Sequence, residues 1–300
     1  MRPAAASLSV LLASGLAAAG LFFLTAPTAS AGQTTVTVQG KIRQAPRRIV
    51  SINPCVDALL MKLADSGQIT AISHYSHDAR ATSIPLRQAL RFKATSGTAE
   101  EILSMRPDLV VGSSIVPLAT KQALKRLNIP LVQLSIPQSI AESKAQIAEL
   151  SAVLGTAKRG EKLNMSIDRA LASSRAEKGT AIPALIWRSG GLVPGAGTLP
   201  DEIMRHTGFQ NVSSSYGLNQ WDILPLEKLV ARPPSVIFSN PGSAGKHRGD
   251  RMLSHPVIDR LSRRIAIVDY PSRLLNCAGP SLIEALETMA RARETAGSGQ

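Results

Sequence analysis

Aromatic side chains are scarce: Phe, Tyr and Trp together make up 3% of the 300 residues. A nucleic-acid groove built on stacked rings is therefore excluded. Basic residues outnumber acidic ones, 34 to 21, for a net charge of +13. They stand singly or in pairs with no long basic run, which also argues against a nucleic-acid surface. Only two cysteines are present, too few for a disulfide scaffold or an all-cysteine zinc site. The chain has no G-x-S-x-G elbow, no P-loop and no H-E-x-x-H helix. Gly190-Gly191 lacks the spacing of a dinucleotide fingerprint. Beyond the first 31 residues no apolar segment is long enough to span a bilayer.

What is present begins with a leader. Arg2 is followed by an uncharged apolar run, Leu8 to Leu24, and by Ala29-Ser30-Ala31 before Gly32. This is the pattern of an export signal cleaved after Ala31. A retained anchor is the alternative. No cysteine follows the apolar run, so a lipidated N-terminus is not expected. The expected compartment is the periplasm, an oxidising one, where Cys55 and Cys277 are able to pair.

A motif occurs twice. Glu100 to Val111 and Glu227 to Phe238 both carry a glutamate, an apolar pair, a basic residue, a proline and an apolar run. Each reads as a short helix, a proline stop and a buried strand. The copies lie too far apart for a solenoid unit. They predict two similar lobes with a ligand cleft between them; two unrelated turns of a large α/β protein would look alike.

Strand and helix signals alternate, which predicts a parallel sheet. Strands are expected at 47–52, 68–73, 108–111 and 131–134, then at 182–187, 236–238 and 265–268. Helices are expected at 55–64, 117–127, 139–154, 156–174, 199–207, near 255–261 and from Pro280 to about Arg291, with 295–300 frayed. Residues 32–45 read as an edge strand or loose arm. Loops are expected at 74–78, 190–197, 242–250 and 271–279. The organisation is a leader at 1–31, one lobe at 46–137, connecting helices at 138–178 and a second lobe at 179–295. Leu163, Ile167 and Leu171 form one stripe on a long helix, either a rigid strut between lobes or an ordinary covering helix.

Ligands of such sheets bind at the carboxyl ends of the strands. The loops there hold Asn53, Cys55, His74, Tyr75, Ser113, Trp187, Arg188, Asn240, Arg273 and Cys277. Both tryptophans, with Tyr75, Tyr216 and Tyr270, fall at strand ends or in loops. Rings beside arginines suit a large, flat, partly apolar ligand with anionic edges. The competing expectation is that Trp187 and Trp221 plug the ends of the core. His74-x-x-His77 makes an incomplete metal site, and no metal site is expected. Cys55 and Cys277 stay open between a disulfide, free cleft thiols and metal ligation.

The order of elements resembles the periplasmic substrate-binding proteins of the cobalamin and ferric-siderophore uptake family. The residues that carry the resemblance are Arg47-Arg48-Ile49-Val50-Ser51, the two Glu…Pro repeats, the helical connection from 139 to 174 and Gly279-Pro280. The likeness spans roughly residues 46–293. It implies two Rossmann-like lobes joined by one long helix, a shallow cleft and little hinge closure. It also implies a monomer that binds rather than transforms a metal chelate. The chelate is a ferric siderophore first, then a corrinoid, then haem, with no cofactor and no nucleic acid. Delivery is to an ABC permease, and Glu100 and Glu227 match by position the glutamates that dock to it. The histidine and carboxylate set of the manganese and zinc branch is not matched. Two rival functions remain: an exported hydrolase using Cys55 and a loop histidine, and a metal chaperone using Cys55, Cys277 and His74.

Overall fold

The computed structural model describes residues 35–79, 81–177, 179–240, 256 and 265–297. The leader with its cleavage site, the loop expected at 242–250 and all but Pro256 of the helix expected near 255–261 lie outside them.

Two sheets organise the chain. The first holds β1 (Val36–Gln39), β2 (Ile49–Ser51), β3 (Ile69–Ser73), β4 (Lys93–Thr95), β5 (Leu109–Ser113) and β6 (Leu131–Leu134). Their order is β1-β6-β5-β2-β3-β4, with β1 antiparallel to β6 and the other strands parallel. The second holds β7 (Ile182–Trp187), β9 (Phe209–Asn211), β11 (Val236–Ser239) and β12 (Ala266–Asp269) in the order β12-β11-β7-β9, all parallel. A separate two-stranded antiparallel sheet pairs β8 (Leu192–Pro194) with β10 (Trp221–Ile223). In each sheet the chain winds one way and then the other. The reversal falls between β2 and β5 in the first lobe and between β7 and β11 in the second. The two expected repeats are α3 (Ala99–Ser104) with β5 and α8 (Leu226–Ala231) with β11, so both feed the strand at the reversal.

The helices are α1 (Pro54–Leu63), α2 (Leu86–Ala89), α4 (Leu118–Arg126), α5 (Ile140–Val153), α6 (Ala157–Ser174), α7 (Leu199–His206), α9 (Arg273–Asn276) and α10 (Ser281–Gly297). Ser139 caps α5 by accepting from Glu142 N, and Gly155 takes the left-handed conformation that ends the helix (φ 72°), as Gly does without steric cost. Thr156 starts α6 but makes no side-chain cap bond. α6 is 18 residues long, about 27 Å. Its buried residues are Gly160, Leu163, Ile167, Ala170 and Ser174, so Leu171 of the expected stripe is only partly covered. The helix contacts α5, α1 and α10, and thus elements of both lobes.

Side-chain parity divides the core. Leu109 and Val111 of β5 join the main cluster while Val110 faces the other side. Ala184, Ile186, Val236 and Phe238 join the same main cluster, and Leu185, Trp187 and Ile237 face away. One core thus runs continuously through both lobes, and each sheet has its own smaller cluster outside. Close-packed interiors resist gradual deformation, and here that packing is shared between the lobes.

Several short elements were not expected. β4, α2, β8, β9 and β10 span three or four residues each, too few to display a period. The expected loop at 271–279 contains α9. The last helix runs past Arg291 to Gly297, with Thr295 Oγ1 donating to Arg291 O at 3.1 Å, because nothing between breaks it.

Candidate ligand cleft

The pocket opens at the reversal of the first sheet. Asn53 follows β2 and Ser113 ends β5, while Ser135 to Gln138 follow β6. Across from them lie Leu199, Pro200 and Ile203 of α7, Trp221 of β10, and Leu274 to Ala278 at the end of α9. The cavity measures about 240 Å³. Binding at the carboxyl ends, at the point of strand reversal, is the rule for open α/β sheets.

Local chemistry positions each wall. Asn53 is the N-cap of α1: its Oδ1 accepts from Cys55 N at 2.9 Å and Val56 N at 3.3 Å. That cap aims the first turn of α1, with Cys55, Val56 and Leu59, into the cavity. Ser113 Oγ accepts from Ile115 N at 3.3 Å, and Ile115 is 78% exposed. Gln146 of α5 donates to Ser135 O at 2.9 Å and fixes the β6–α5 loop, on which Ile136 is 62% exposed. Trp221 is 37% exposed. Arg188 lies 5.8 Å from the centre of its ring and donates from Nη2 to Asn276 Oδ1 at 3.2 Å. Burial pulls the Arg188 pKa down from its ordinary value, but a guanidinium stays charged. The walls are thus aliphatic and indole surface with amide and hydroxyl groups set among them.

Cys55 and Cys277 form a disulfide, which closes the choice left by the sequence. Their Cα atoms are 5.2 Å apart, within the ordinary range, and both residues line the cavity. The bond joins α1 of the first lobe to the turn after α9 of the second. That turn also seats on the connecting helix α5 through Gly279 N, which donates to Ser143 Oγ at 2.9 Å. Gly279 has φ 67°, and a Cβ there would lie 2.8 Å from Leu59, so only glycine fits.

The remaining expected site residues lie elsewhere. Trp187 is buried in the outer cluster of the second lobe, because strand parity turns it away from the side that Ile186 faces. Of the two tryptophans, one plugs the core and one lines the cleft. Tyr216 joins the same outer cluster and donates its hydroxyl to Arg232 O, with its pKa raised by burial. Tyr270 is buried edge-on against Phe238. Burial likewise raises its pKa. Arg273 is held by Glu284 through both nitrogens, one of them at 2.6 Å. That hydrogen-bonded pair holds the Glu284 carboxyl below its ordinary pKa. His74 donates from Nδ1 to Thr95 O and His77 from Nε2 to Ala89 O, both at 3.1 Å. Tyr75 is exposed and packs on His74. Among the described residues no cluster of metal-ligating side chains occurs. Asn240 donates to Ser272 Oγ at 3.3 Å and does not line the cavity. The cleft residues that the sequence did not suggest include Ile136, Gln138, Leu199 and Ile203, whereas Asn276 falls in the 273–277 loop expected there. The first two follow a strand end, so the carboxyl-end rule applied to β6 would have found them.

The profile of the periplasmic binding protein family matches residues 49–262. The chain belongs to that family. No curated protein sequence matches it. Among solved structures it is similar to the periplasmic heme-binding protein RhuT from Roseiflexus sp. RS-1 (TM-score 0.65, 22% identity, 83% of this chain and 98% of that one). It is also similar to the vitamin B12 binding protein BtuF of Vibrio cholerae (0.60, 18%, 84% and 98%). CeuE of Helicobacter pylori, solved with Ni(II) bound, gives 0.63, 17%, 86% and 87%. At these identities the likeness is one of fold: two Rossmann-like lobes, a connecting helix and a cleft. The paired sulfurs also remove the free thiolate that a cysteine hydrolase or a thiol metal chaperone requires.

Proposed function

We propose that the protein captures a metal chelate in the periplasm and delivers it to an ABC importer. A ferric siderophore is the first candidate, a corrinoid the second and haem the third. The observation that supports this most is the interlobe cleft itself. Its aliphatic walls, with Trp221 at one side and Arg188 outside the lining but against the Trp221 ring, suit a bulky ligand with apolar faces and polar edges. The cavity of about 240 Å³ is small beside the roughly 300–1,000 Å³ of enclosed ligand sites. A chelate therefore sits partly outside it, against the exposed Ile115 and Ile136. The leader is removed after Ala31, and the mature chain acts as a monomer.

Docking to the permease uses Glu100 and Glu227. Both are exposed in the first turns of α3 and α8, at the equivalent place in each repeat. In α3 the local structural role falls to the neighbouring residue. Glu101 accepts from Thr95 Oγ1 at 2.9 Å and Ser96 N at 2.6 Å, and those bonds lower its pKa. Glu100 is left for a partner.

The test is a fluorescence titration of the mature protein with a ferric trihydroxamate, cyanocobalamin and hemin. At least one should bind stoichiometrically and quench Trp221. Failure of all three overturns the chelate reading.

A further inference from the structure

The disulfide is a wall of the pocket, and its contacts run on to the residue expected to read the ligand. Cys55 Sγ lies 3.2 Å from Asn276 O. The Asn276 side chain accepts from Arg188, and Arg188 lies over Trp221. On its other side Cys277 Sγ accepts from Ser83 Oγ at 3.2 Å, a hydroxyl shared with Arg273 O at 3.3 Å. The two sulfurs differ in access: Cys277 is 7% exposed, whereas Cys55 is half-buried at the cavity wall.

We propose that the Cys55–Cys277 disulfide is a positioning element of the ligand cleft, through which the thiol–disulfide state of the protein controls cargo binding. This rests on the cleft being the cargo site. The reductant is a dithiol, such as the active-site pair of an exported oxidoreductase. Its thiolate attacks the accessible Cys55 Sγ, the S–S bond breaks, and Cys277 leaves with the electron pair and then takes up a proton. The second thiol of the reductant, as thiolate, attacks the mixed disulfide and releases Cys55, which is also protonated. Two electrons and two protons pass to the protein, and the reductant ends as a disulfide. The Ser83 hydroxyl is placed to donate to the departing Cys277 thiolate, and a better-stabilised leaving group departs faster. Once the bond is gone, the turn after α9 is no longer tied to α1. Asn276 then loses its fixed place, and the Arg188–Trp221 contact loses its anchor.

The experiment uses the two tryptophans. Trp187 is buried and Trp221 is accessible, so acrylamide quenching reports on Trp221 whether or not a chelate is known. After dithiothreitol treatment shown complete by a count of two thiols, the accessible tryptophan should become at least twofold more quenchable. Far-UV circular dichroism should stay native. Affinity for any chelate that the oxidised protein binds should fall tenfold or more. Asn276→Ala, with the disulfide intact, should reproduce the quenching change. Ser83→Ala should slow reduction by dithiothreitol severalfold. Native quenching after complete reduction overturns the proposal. So does a loss of the far-UV signal, because the bond is then a staple of the whole fold. An unchanged reduction rate in Ser83→Ala overturns the leaving-group assignment. If no chelate binds even the oxidised protein, the cargo reading falls and takes the redox control of binding with it, while the quenching result still decides the positioning.

Discussion

Single residues already separate binding from stability in this molecule. Trp221→Ala removes an accessible ring from the cleft and should weaken cargo binding by about 1–3 kcal/mol, the cost of losing an aromatic anchor, with little change in melting. Trp187→Ala should do the opposite. It empties a fully buried site and should cost about 3–5 kcal/mol of stability, readable by chemical denaturation. The sequence placed both rings at strand ends but did not fix which way each faced. That depends on a parity of one residue, and a strand signal good to a residue or two cannot set it. Asp57 is a second residue-scale case. It is fully buried in α1. Burial raises its pKa to about 7, opposed by bonds from Ser51, Ser76 and Ser73. One of its oxygens, Oδ1, has no partner. Because the folded state holds the proton more tightly than the unfolded chain, stability should fall as pH rises from about 4 to about 7 and then level off. The slope within that window approaches about 1.4 kcal/mol per pH unit. Asp57→Asn should flatten it in denaturation series run across pH.

The elements differ in how clearly they are written. α5 and α7 carry side-chain caps and α6 a long buried stripe, and their bounds were read to within a residue or two. The β8–β10 pair was not read at all: its strands are three residues each, Pro194 and Gly197 read as turn signals, and β10 is exposed throughout. Yet this pair presents Trp221. Gly195, just after β8, lies against the residue before β10: a Cβ there would overlap the backbone of Gln220, and Gln220 itself has φ 50°. Gly195→Ala should therefore push the two strands apart and displace Trp221. Cargo affinity should drop tenfold or more while the melting temperature moves by only a few degrees, as titration and thermal scanning would record.

At the scale of the whole molecule the alternation of strands and helices and the doubled Glu…Pro motif were enough to foresee two parallel lobes. Of the cleft's far wall, Trp221 and the 273–277 loop were legible, but α7 was not, since it reaches the cleft only through tertiary packing. Glu100 and Glu227 stand at matching places in the two repeats, and the proposed docking to a permease of two like halves rests on that. Glu100→Arg combined with Glu227→Arg should leave cargo affinity unchanged and abolish stimulation of the permease ATPase in proteoliposomes. Wild-type stimulation at physiological salt would assign these carboxylates to helix capping alone.

The bond between Cys55 and Cys277 also imposes an order on biosynthesis. The two cysteines are 222 residues apart, one near each end of the described chain. A chain delivered N-terminus first must present nearly all of itself before the second sulfur arrives. The cleft is therefore the last part of the molecule to be finished, and no fragment that stops short of Cys277 can own one. Once closed, the chain is a covalent ring with two tails, so a single protease cut anywhere between the cysteines leaves one molecule until a reductant is added. Paired gels without and with reductant would show this directly: a nicked sample runs as one species in the first and as two in the second.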